Sequence, residues 1–202
     1  MARTTPYQPL LLRLLHGLSA ALVIGALITG FWVYNTYDGR FVRLPLPNLP
    51  DIQGLHGTFG LVFLILLPFF ALYSFHIGYR RLIQPDSLKQ LSRVGEPIWW
   101  VTLQRLTNTG MLLAAVLAVM SGRMMKEEWL PAGQLDHGWY YLHLGGWVVM
   151  LLSLLLHLLM SAKVGGMPLL LSMISLQVRA DDSPSLWPTH VRNWLSRFRS
   201  RS

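Results

Sequence analysis

The segment HLGGWVVMLLSLLLH, residues 143–157, decides the fold class, because it is apolar throughout except for Ser153 and a histidine at each end. A helix of this composition would lie almost wholly in lipid, where an ionisable side chain is costly and is a functional candidate by default. At about 100° per residue, His143 and His157 lie within roughly 40° of each other on one helix face and about 21 Å apart along the axis. One face of this helix therefore offers an imidazole near each membrane surface.

Three further apolar blocks accompany this one, in a chain of 202 residues that is 52% hydrophobic and 13% charged. The four blocks cover residues 10–34, 55–75, 99–120 and 139–160. Each is close to the ~20 residues that an α-helix needs to cross the hydrocarbon layer, and backbone groups in lipid must be satisfied within the segment. The sequence therefore predicts an all-α integral membrane protein, a bundle of four transmembrane helices. The first block exceeds the apolar core of a signal peptide, about 7–15 residues, and is predicted to be a retained span.

Basic residues predict the orientation of the bundle. Of the 17 lysines and arginines, 13 fall on the side that holds the N-terminus, Arg3 and Arg201 among them, and 4 fall on the other side. This bias predicts cytoplasmic N- and C-termini and a multi-pass location in the cell membrane. The net charge of +8 then comes mainly from basic residues that flank the spans on the inner face of the membrane. Because these residues do not form a soluble basic patch, we expect no nucleic-acid partner.

Two domains are expected, a four-helix domain in residues 1–163 and a cytoplasmic tail in residues 164–202. The apolar run that follows Lys163 spans about ten residues, which is too short to cross the membrane, and is expected to lie at the inner surface. The last stretch, WPTHVRNWLSRFRSRS (187–202), mixes aromatic residues with arginines, as an interfacial basic helix would. A solubilising, partly disordered tail is an equally good interpretation.

The chain has no cysteine and seven histidines. Disulfides, thiolate-bound iron–sulfur clusters and cysteine-ligated or covalently attached haem are therefore excluded, and histidine is the redox ligand in supply. His16 lies about two turns into the first span, at the inner depth of His157, and His56 begins the second span at the outer depth of His143. Two facing imidazoles at each depth can bind one haem iron from both sides. This predicts two haem b groups, with His16 and His157 on the inner iron and His56 and His143 on the outer.

The other three histidines are predicted to lie outside the two sites. His76 is 20 residues after His56, a rotation of about 200° on a helix, so it should point away from the face that His56 presents. A kink at Pro68 would soften this argument. His137 lies about 120° from the face of His143 and is expected to cap the outer end of the last span. His190 lies in the tail, where we expect it to be solvated.

Small and basic residues extend the predicted sites. Gly60 and Gly146 follow a histidine by four and three residues, so each lies on the face of its histidine, where a flat macrocycle needs close approach. Close packing of membrane helices favours the same residues. Haem propionates need cationic partners, for which Arg13, Arg105 and Arg123 are the candidates, the first two inside and the third outside. Snorkelling or marking of the topology would explain each arginine equally well. Met150 is expected to pack between the haems.

Four spans with histidines in the first, second and fourth resemble the prokaryotic cytochrome b561 family, from about Leu11 to Met173. The matching motifs are RLLHGLSA (13–20), GLHGTFG (54–60) and YYLHLGGWVVMLLSLLLHLLMS (140–161). The resemblance implies the same pairing of histidines and electron transfer across the membrane through two b-type haems. Some members of the family oxidise superoxide and reduce quinone, and related four-helix cytochromes anchor hydrogenases and formate dehydrogenases.

The sequence departs from this family in three respects. Gly17 stands where an aromatic residue often follows the first histidine, and both His76 and the long tail are additional. The predicted outer connections carry five acidic and four basic residues, a net charge of −1. Electrostatic steering of a small anion favours a positive entrance, which weakens the case for superoxide as a substrate.

These observations predict a di-haem electron-transfer protein whose partner in the lipid is a quinone. Trp99, Trp100, Trp139 and Tyr140 lie at interface depth, where aromatic residues usually form the membrane belt. One alternative is a haem-bearing anchor subunit that passes electrons to a redox partner protein. A second is a stand-alone quinone-linked oxidoreductase, and a third is a histidine-based ion or metal transporter. Such transporters often use acidic residues within their spans, and the absence of these residues here argues against the third alternative. The sequence leaves the oligomeric state open, a homo-oligomer included.

Overall fold

The computed structural model describes residues 7–76 and 78–199, which leaves out Arg3 and Arg201 of the orientation argument. Four long helices dominate these residues: α1 (Leu10–Tyr37), α2 (Ile52–His76), α4 (Pro97–Met124) and α5 (Gly138–Ile174). The short helices α3 (Ser87–Leu91) and α6 (Trp187–Arg199) accompany them, and no strand occurs within the described ranges. All four long helices are long and apolar enough to cross a membrane. The predicted four-span bundle is confirmed, and each predicted block lies inside one long helix.

Local chemistry explains where the long helices begin and end. At the end of α1, the backbone N–H groups of Asp38 and Gly39 both donate to the carbonyl of Tyr34 at 2.9 Å, and Gly39 adopts a positive φ of 65°. This left-handed residue after the helix is where glycine is favoured. Pro97 opens α4 at a position where the missing N–H would have no partner in the helix.

Helix α5 contains a break that separates its membrane span from a second, shorter helical segment. Gly166 has φ 67° and ψ −177°, a backbone conformation that is essentially restricted to glycine. Pro168 follows at the start of the next turn, where it costs no hydrogen bond. The break lies close to the predicted boundary at residues 163/164, which stays a prediction.

The spans form two helical hairpins. Helix α1 packs most extensively on α2, and α4 packs most extensively on α5, whereas the contacts of α1 with α5 and of α2 with α4 are much smaller. We call the end of the bundle at which α1 begins the near end and the end at which α1 finishes the far end. The interface between the two hairpins is therefore looser than the packing inside either hairpin.

The buried core lies midway along the bundle. It brings together residues of all four spans, with partly buried Phe59 and Trp147 packed against it: Leu22, Leu27, Phe63, Leu67, Ala114, Ala115 and Met150. The indole Nε1 of Trp147 donates to the carbonyl of Leu27 at 2.9 Å, which ties α5 to α1. Many apolar side chains on the outer faces of the spans remain exposed, as a lipid-facing surface requires.

A second cluster closes the far end, where the two far connections pack over the helix ends. Its buried members are Val33, Ile52, Leu130 and Tyr140. The hydroxyl of Tyr140 donates to the carboxylate of Asp38 at 2.6 Å, and the guanidinium Nε of Arg40 donates to the other carboxylate oxygen at 2.7 Å. The first connection, directly after α1, and the start of α5 are thus joined by one buried carboxylate, whose side chain is only 2% exposed.

At the near end, the chain that follows α5 folds back onto the start of α1. The side-chain Oδ2 of Asp182 accepts hydrogen bonds from the hydroxyl of Tyr7 at 2.5 Å and from the backbone N–H of Leu10 at 2.6 Å. Arg13 donates to the carbonyls of Ser175 and Gln177. The tail is therefore attached to the bundle at least as far as residue 182.

Candidate functional site

The four histidines of the predicted sites form two pairs. The ring centroids of His16 and His157 lie 6.2 Å apart at the near end, with an angle of 36° between the ring planes. The centroids of His56 and His143 lie 5.9 Å apart at the far end, with an angle of 76°. We call these the near pair and the far pair. In each pair one ring comes from the α1–α2 hairpin and the other from the α4–α5 hairpin, so both pairs bridge the loose interface.

The separation within each pair is suited to two imidazoles on opposite sides of one metal ion. A metal–imidazole bond is about 2.0–2.1 Å long, and a ring centroid lies roughly 1.1 Å behind its nitrogen, which gives a centroid separation of about 6.3 Å. Both observed separations are within a few tenths of an ångström of this value. Within residues 7–76 and 78–199, histidine, cysteine and acidic side chains form no group of three or more that could hold a metal ion. Two imidazoles per ion is therefore the arrangement that the described chain can supply.

Hydrogen bonds to the far pair assign the proton on each ring. The hydroxyl of Thr29 lies 3.2 Å from Nδ1 of His56 and donates its own proton to the carbonyl of Gly25 at 2.7 Å. The hydroxyl of Ser121 lies 3.1 Å from Nδ1 of His143 and donates to the carbonyl of Leu117 at 2.6 Å. Nδ1 of His143 also lies 3.0 Å from the carbonyl of Ala118, which can only accept, so Nδ1 of His143 is the donor. With the hydroxyl proton of Thr29 directed to Gly25, Nδ1 of His56 is the donor as well. The lone pair is then on Nε2, which is left to bind a metal.

Asn108 does the same for the near pair. Its Oδ1 lies 2.8 Å from Nδ1 of His157, and its Nδ2 donates to the backbone carbonyl of Arg81 at 2.9 Å. The donor to Arg81 identifies Nδ2 as the amide nitrogen, so Oδ1 faces the ring and must accept the Nδ1 proton of His157. His157, like His56 and His143, therefore presents an unprotonated Nε2.

Two glycines make room for the far pair. A Cβ at Gly30 would lie 3.0 Å from Cε1 of His56 and 3.3 Å from Cδ1 of Trp147. A Cβ at Gly122 would lie 3.0 Å from Cε1 of His143 and 3.3 Å from its Nδ1. Both separations are tighter than ordinary van der Waals contact, so the position of each ring depends on the missing side chain.

The two glycines singled out by sequence, Gly60 and Gly146, lie in different surroundings. A Cβ at Gly146 would lie 3.6 Å from the backbone of Ala118, so this glycine serves the close packing of α5 on α4. A Cβ at Gly60 would meet no atom of the described chain within 4 Å. Of the two, only Gly60 has the open space that a flat ligand would need.

The three predicted arginines lie in three different settings. Arg13 is buried, and although both its terminal nitrogens bind the tail, its Nε is buried without a partner in the described chain. Arg105 donates from Nε to the carbonyl of Arg80 at 3.1 Å. Arg123 is exposed near the end of α4. Their contact with propionates stays a prediction.

Neither His76 nor His137 forms part of a pair. His76 is exposed at the end of α2, and α2 continues as one helix through Pro68. His137 is the residue that precedes α5, and its ring stacks on Trp129 with centroids 3.8 Å apart. The side chain of His190 lies outside the described residues.

Sequence reasoning did not identify Thr29, Asn108 or Ser121, the partners of the histidine rings. One signal was present for two of them. Asn108 and Ser121 are 13 residues apart, about 20 Å along a helix, which nearly equals the axial distance between His143 and His157. Helix α4, which contains the third apolar block, therefore carries a polar residue at each of the two histidine depths, although it carries no histidine.

Comparison with protein-family models gives a match for this chain. Residues 7–176 match the family model described as prokaryotic cytochrome b561. The match covers all four spans and both histidine pairs. No curated protein and no solved structure matches the chain significantly.

Proposed function

The chain belongs to the prokaryotic cytochrome b561 family, and we propose that its two histidine pairs hold two b haems between which electrons cross the membrane. Membership of the family assigns haem-based electron transport and a multi-pass location in the inner membrane. A bound haem supplies an iron that accepts and releases one electron at a time. The number of haems, the ligands and the partners belong to the proposal.

The observation that carries the proposal is the geometry of the two pairs. Both have the spacing of two imidazoles on one iron, and three of the four rings have Nδ1 engaged and Nε2 available. At the near pair, two buried polar atoms without a partner in the described chain, Nε of Arg13 and Oγ of Ser19, lie on α1 one turn before and one turn after His16. Buried polar atoms normally have partners, so these two support a polar ligand group beside His16.

The residues of each site would hold the iron and exclude other ligands. Two histidines at each site would bind it, and a haem held by both would supply transfer of electrons without bond formation to oxygen or a substrate. Thr29, Ser121 and Asn108 keep their rings in the tautomer that binds metal. The mid-bundle core, which includes Met150, separates the two pairs with apolar side chains.

We assign the near end to the cytoplasm, since 13 of the 17 basic residues lie on that side. The proposed partner within the membrane is a quinone, as in members of the family, because the exposed apolar faces of the spans contact the lipid in which quinones diffuse. A separate redox protein would dock on one of the two ends.

The decisive experiment is a reduced-minus-oxidised spectrum of the purified chain together with its haem content. We expect two b haems per chain in the wild type. Each of His16→Ala, His56→Ala, His143→Ala and His157→Ala should retain about one haem. His76→Ala is the matched control and should retain both.

The pattern of loss tests the pairing itself. His16→Ala and His157→Ala should lose the same spectral component, and His56→Ala and His143→Ala should lose the other. A wild-type chain with one haem, or a His76→Ala variant that loses one, would contradict the scheme. A colourless protein would exclude a haem function altogether.

A further inference from the structure

We propose that Asn108 is a positioning residue that sets the redox potential of the near haem and links its ligand His157 to the connection between α2 and α4. This inference rests on the proposed function, because it assumes that His157 binds an iron. Helix α4 has no histidine, yet it supplies the hydrogen-bond acceptor for the Nδ1 of both histidines on α5. The acceptors differ in kind: His143 has the hydroxyl of Ser121 and the backbone carbonyl of Ala118, whereas His157 has the carboxamide of Asn108.

The carboxamide of Asn108 is held at both ends. Its Oδ1 accepts from Nδ1 of His157 at 2.8 Å, and its Nδ2 donates to the carbonyl of Arg81 at 2.9 Å. A side chain with both polar atoms engaged cannot rotate without losing two hydrogen bonds. The carbonyl of Arg81 therefore determines which way the amide points, and the amide determines how the His157 ring is oriented.

The segment that contains this carbonyl is fastened to the same face of α4 on either side. Nε of Arg105 donates to the carbonyl of Arg80 at 3.1 Å, and the backbone N–H of Ile83 donates to the hydroxyl of Thr109 at 2.9 Å. Residues 105, 108 and 109 lie three and four positions apart, so they share a helix face. The segment 80–83 is thus attached to α4 at three of its residues, 80, 81 and 83. Only the middle attachment, at residue 81, continues through Asn108 to a histidine ring.

The physical effect on the iron follows from the acceptor at Nδ1. A histidine that donates its second ring proton to an acceptor is a more basic ligand, and a more basic ligand favours the oxidised iron. Removing the acceptor should therefore raise the midpoint potential of the near haem. A negatively charged acceptor should lower it, and the far haem should respond to neither change.

Three variants test this inference by a redox titration monitored optically and by the electron paramagnetic resonance signal of each oxidised haem. Asn108→Leu has a similar size and no acceptor, and we expect a raised potential for the near haem only. Asn108→Asp keeps an acceptor for His157 and adds negative charge, although it gives up the donor to the carbonyl of Arg81, and we expect a lowered potential. Thr109→Val removes a neighbouring tether of residues 80–83 and leaves both bonds of Asn108 in place, so the potentials should be unchanged.

Shifts of opposite sign in Asn108→Leu and Asn108→Asp are the signature of a positioning residue, because general damage to the fold would move both in one direction. The near haem is identified as the component that is missing in His157→Ala. If Asn108→Leu fails to assemble, Asn108→Ala, which also lacks an acceptor, takes its place in the comparison with Asn108→Asp. A near haem whose potential and resonance signal are unchanged in either Asn108 variant overturns this inference and leaves the proposed function standing. A wild-type chain without haem overturns both.

Discussion

The side chains of Thr29 and Ser121 show how an apolar span accommodates a polar ring at little cost. Each hydroxyl donates to a carbonyl of its own helix, Gly25 or Leu117, and accepts the proton of a histidine on another helix. The polar atoms therefore satisfy one another inside the bundle, as buried polar groups must. At the far pair this chemistry is combined with the missing side chains of Gly30 and Gly122.

Gly122→Ala is expected to weaken the far haem and leave the near haem intact. The new Cβ would lie 3.0 Å from Cε1 of His143, so the ring must shift by a few tenths of an ångström while its Nδ1 is held by Ser121. We expect the haem content of the purified variant to fall from two towards one, with loss of the component that His143→Ala also loses.

Gly145→Ala is the matched control for this substitution. It adds the same methyl group to α5 two residues from His143, where no atom of the described chain lies within 4 Å. The control should keep two haems. Equal haem content in both variants would show that the His143 ring has room to move.

Sequence reasoning at this scale found the histidines and missed their partners. A histidine in an apolar span stands out by composition alone, and its depth can be counted from the span's ends. The partner of His157 depends on how α4 is rotated against α5. Asn108 and Ser121 offered only their spacing as a signal, and Thr29 offered none. Arg13 illustrates the same limit, since it binds carbonyls of Ser175 and Gln177 that lie more than 160 residues away in the chain.

At the scale of helices, Asp38 fastens the end of α1 to the start of α5. Burial of this carboxylate opposes its ionisation, but the hydrogen bonds from Tyr140 and Arg40 outweigh that effect, and the pKa of Asp38 is lowered. A lowered pKa means that the folded chain binds the proton less tightly than the unfolded chain does. The stability that Asp38 contributes is therefore present above its unfolded pKa of about 3.9 and is lost as the pH falls through the lowered value.

Tyr140→Phe should lower the thermal midpoint of the purified protein at neutral pH. The variant loses a hydrogen bond to a charged group, which typically contributes about 1.5–3 kcal/mol, and in a chain of this size each kcal/mol shifts the midpoint by about 2–4 °C. The difference from the wild type should narrow below about pH 4, because the protonated carboxyl no longer attracts the hydroxyl as strongly.

Tyr141→Phe provides the comparison. Its hydroxyl donates to Asp136 at 3.0 Å and accepts from Arg40 at 3.3 Å, both in exposed positions where a hydrogen bond contributes little. We expect the thermal midpoint to shift by no more than about 1 °C. Equal shifts in Tyr140→Phe and Tyr141→Phe would show that the hydrogen bond to the buried carboxylate contributes no more than the exposed one.

The bounds of the spans were predictable at this scale, whereas the break in α5 was not predicted as such. Lipid requires a continuous apolar run with internal hydrogen bonds, so composition alone locates each span. The break at Gly166 depends on one dihedral angle, and the pair Gly165–Gly166 before Pro168 is the local signal that indicates it. The path of the tail back to Tyr7 has no comparable signal, because it depends on contacts between the two ends of the chain.

At the scale of the whole molecule, the two hairpins meet mainly through the histidine pairs and the core. The connection between them contains an exposed stretch, residues 92–96, with a positive φ of 84° at Gly95. A chain cut there and expressed as two pieces, 1–94 and 95–202, should reassemble in the membrane with two haems. Each piece alone should bind none, because each contributes only one histidine to each pair.

Haem content and co-purification of the two pieces are the measurements for this prediction. The control is the same co-expression with His56→Ala in the first piece, which should leave about one haem in the reassembled protein. If one piece alone binds a full equivalent of haem, then both ligands of that haem come from the same hairpin, and the prediction is wrong.

Helix α5 follows the other three described spans in the chain, and it carries one histidine of each pair. If the pairs hold haem as proposed, a growing chain with only three spans inserted would offer single imidazoles and no pair. Haem would then bind after α5 has entered the membrane, and earlier stages of biosynthesis would expose no partly ligated iron.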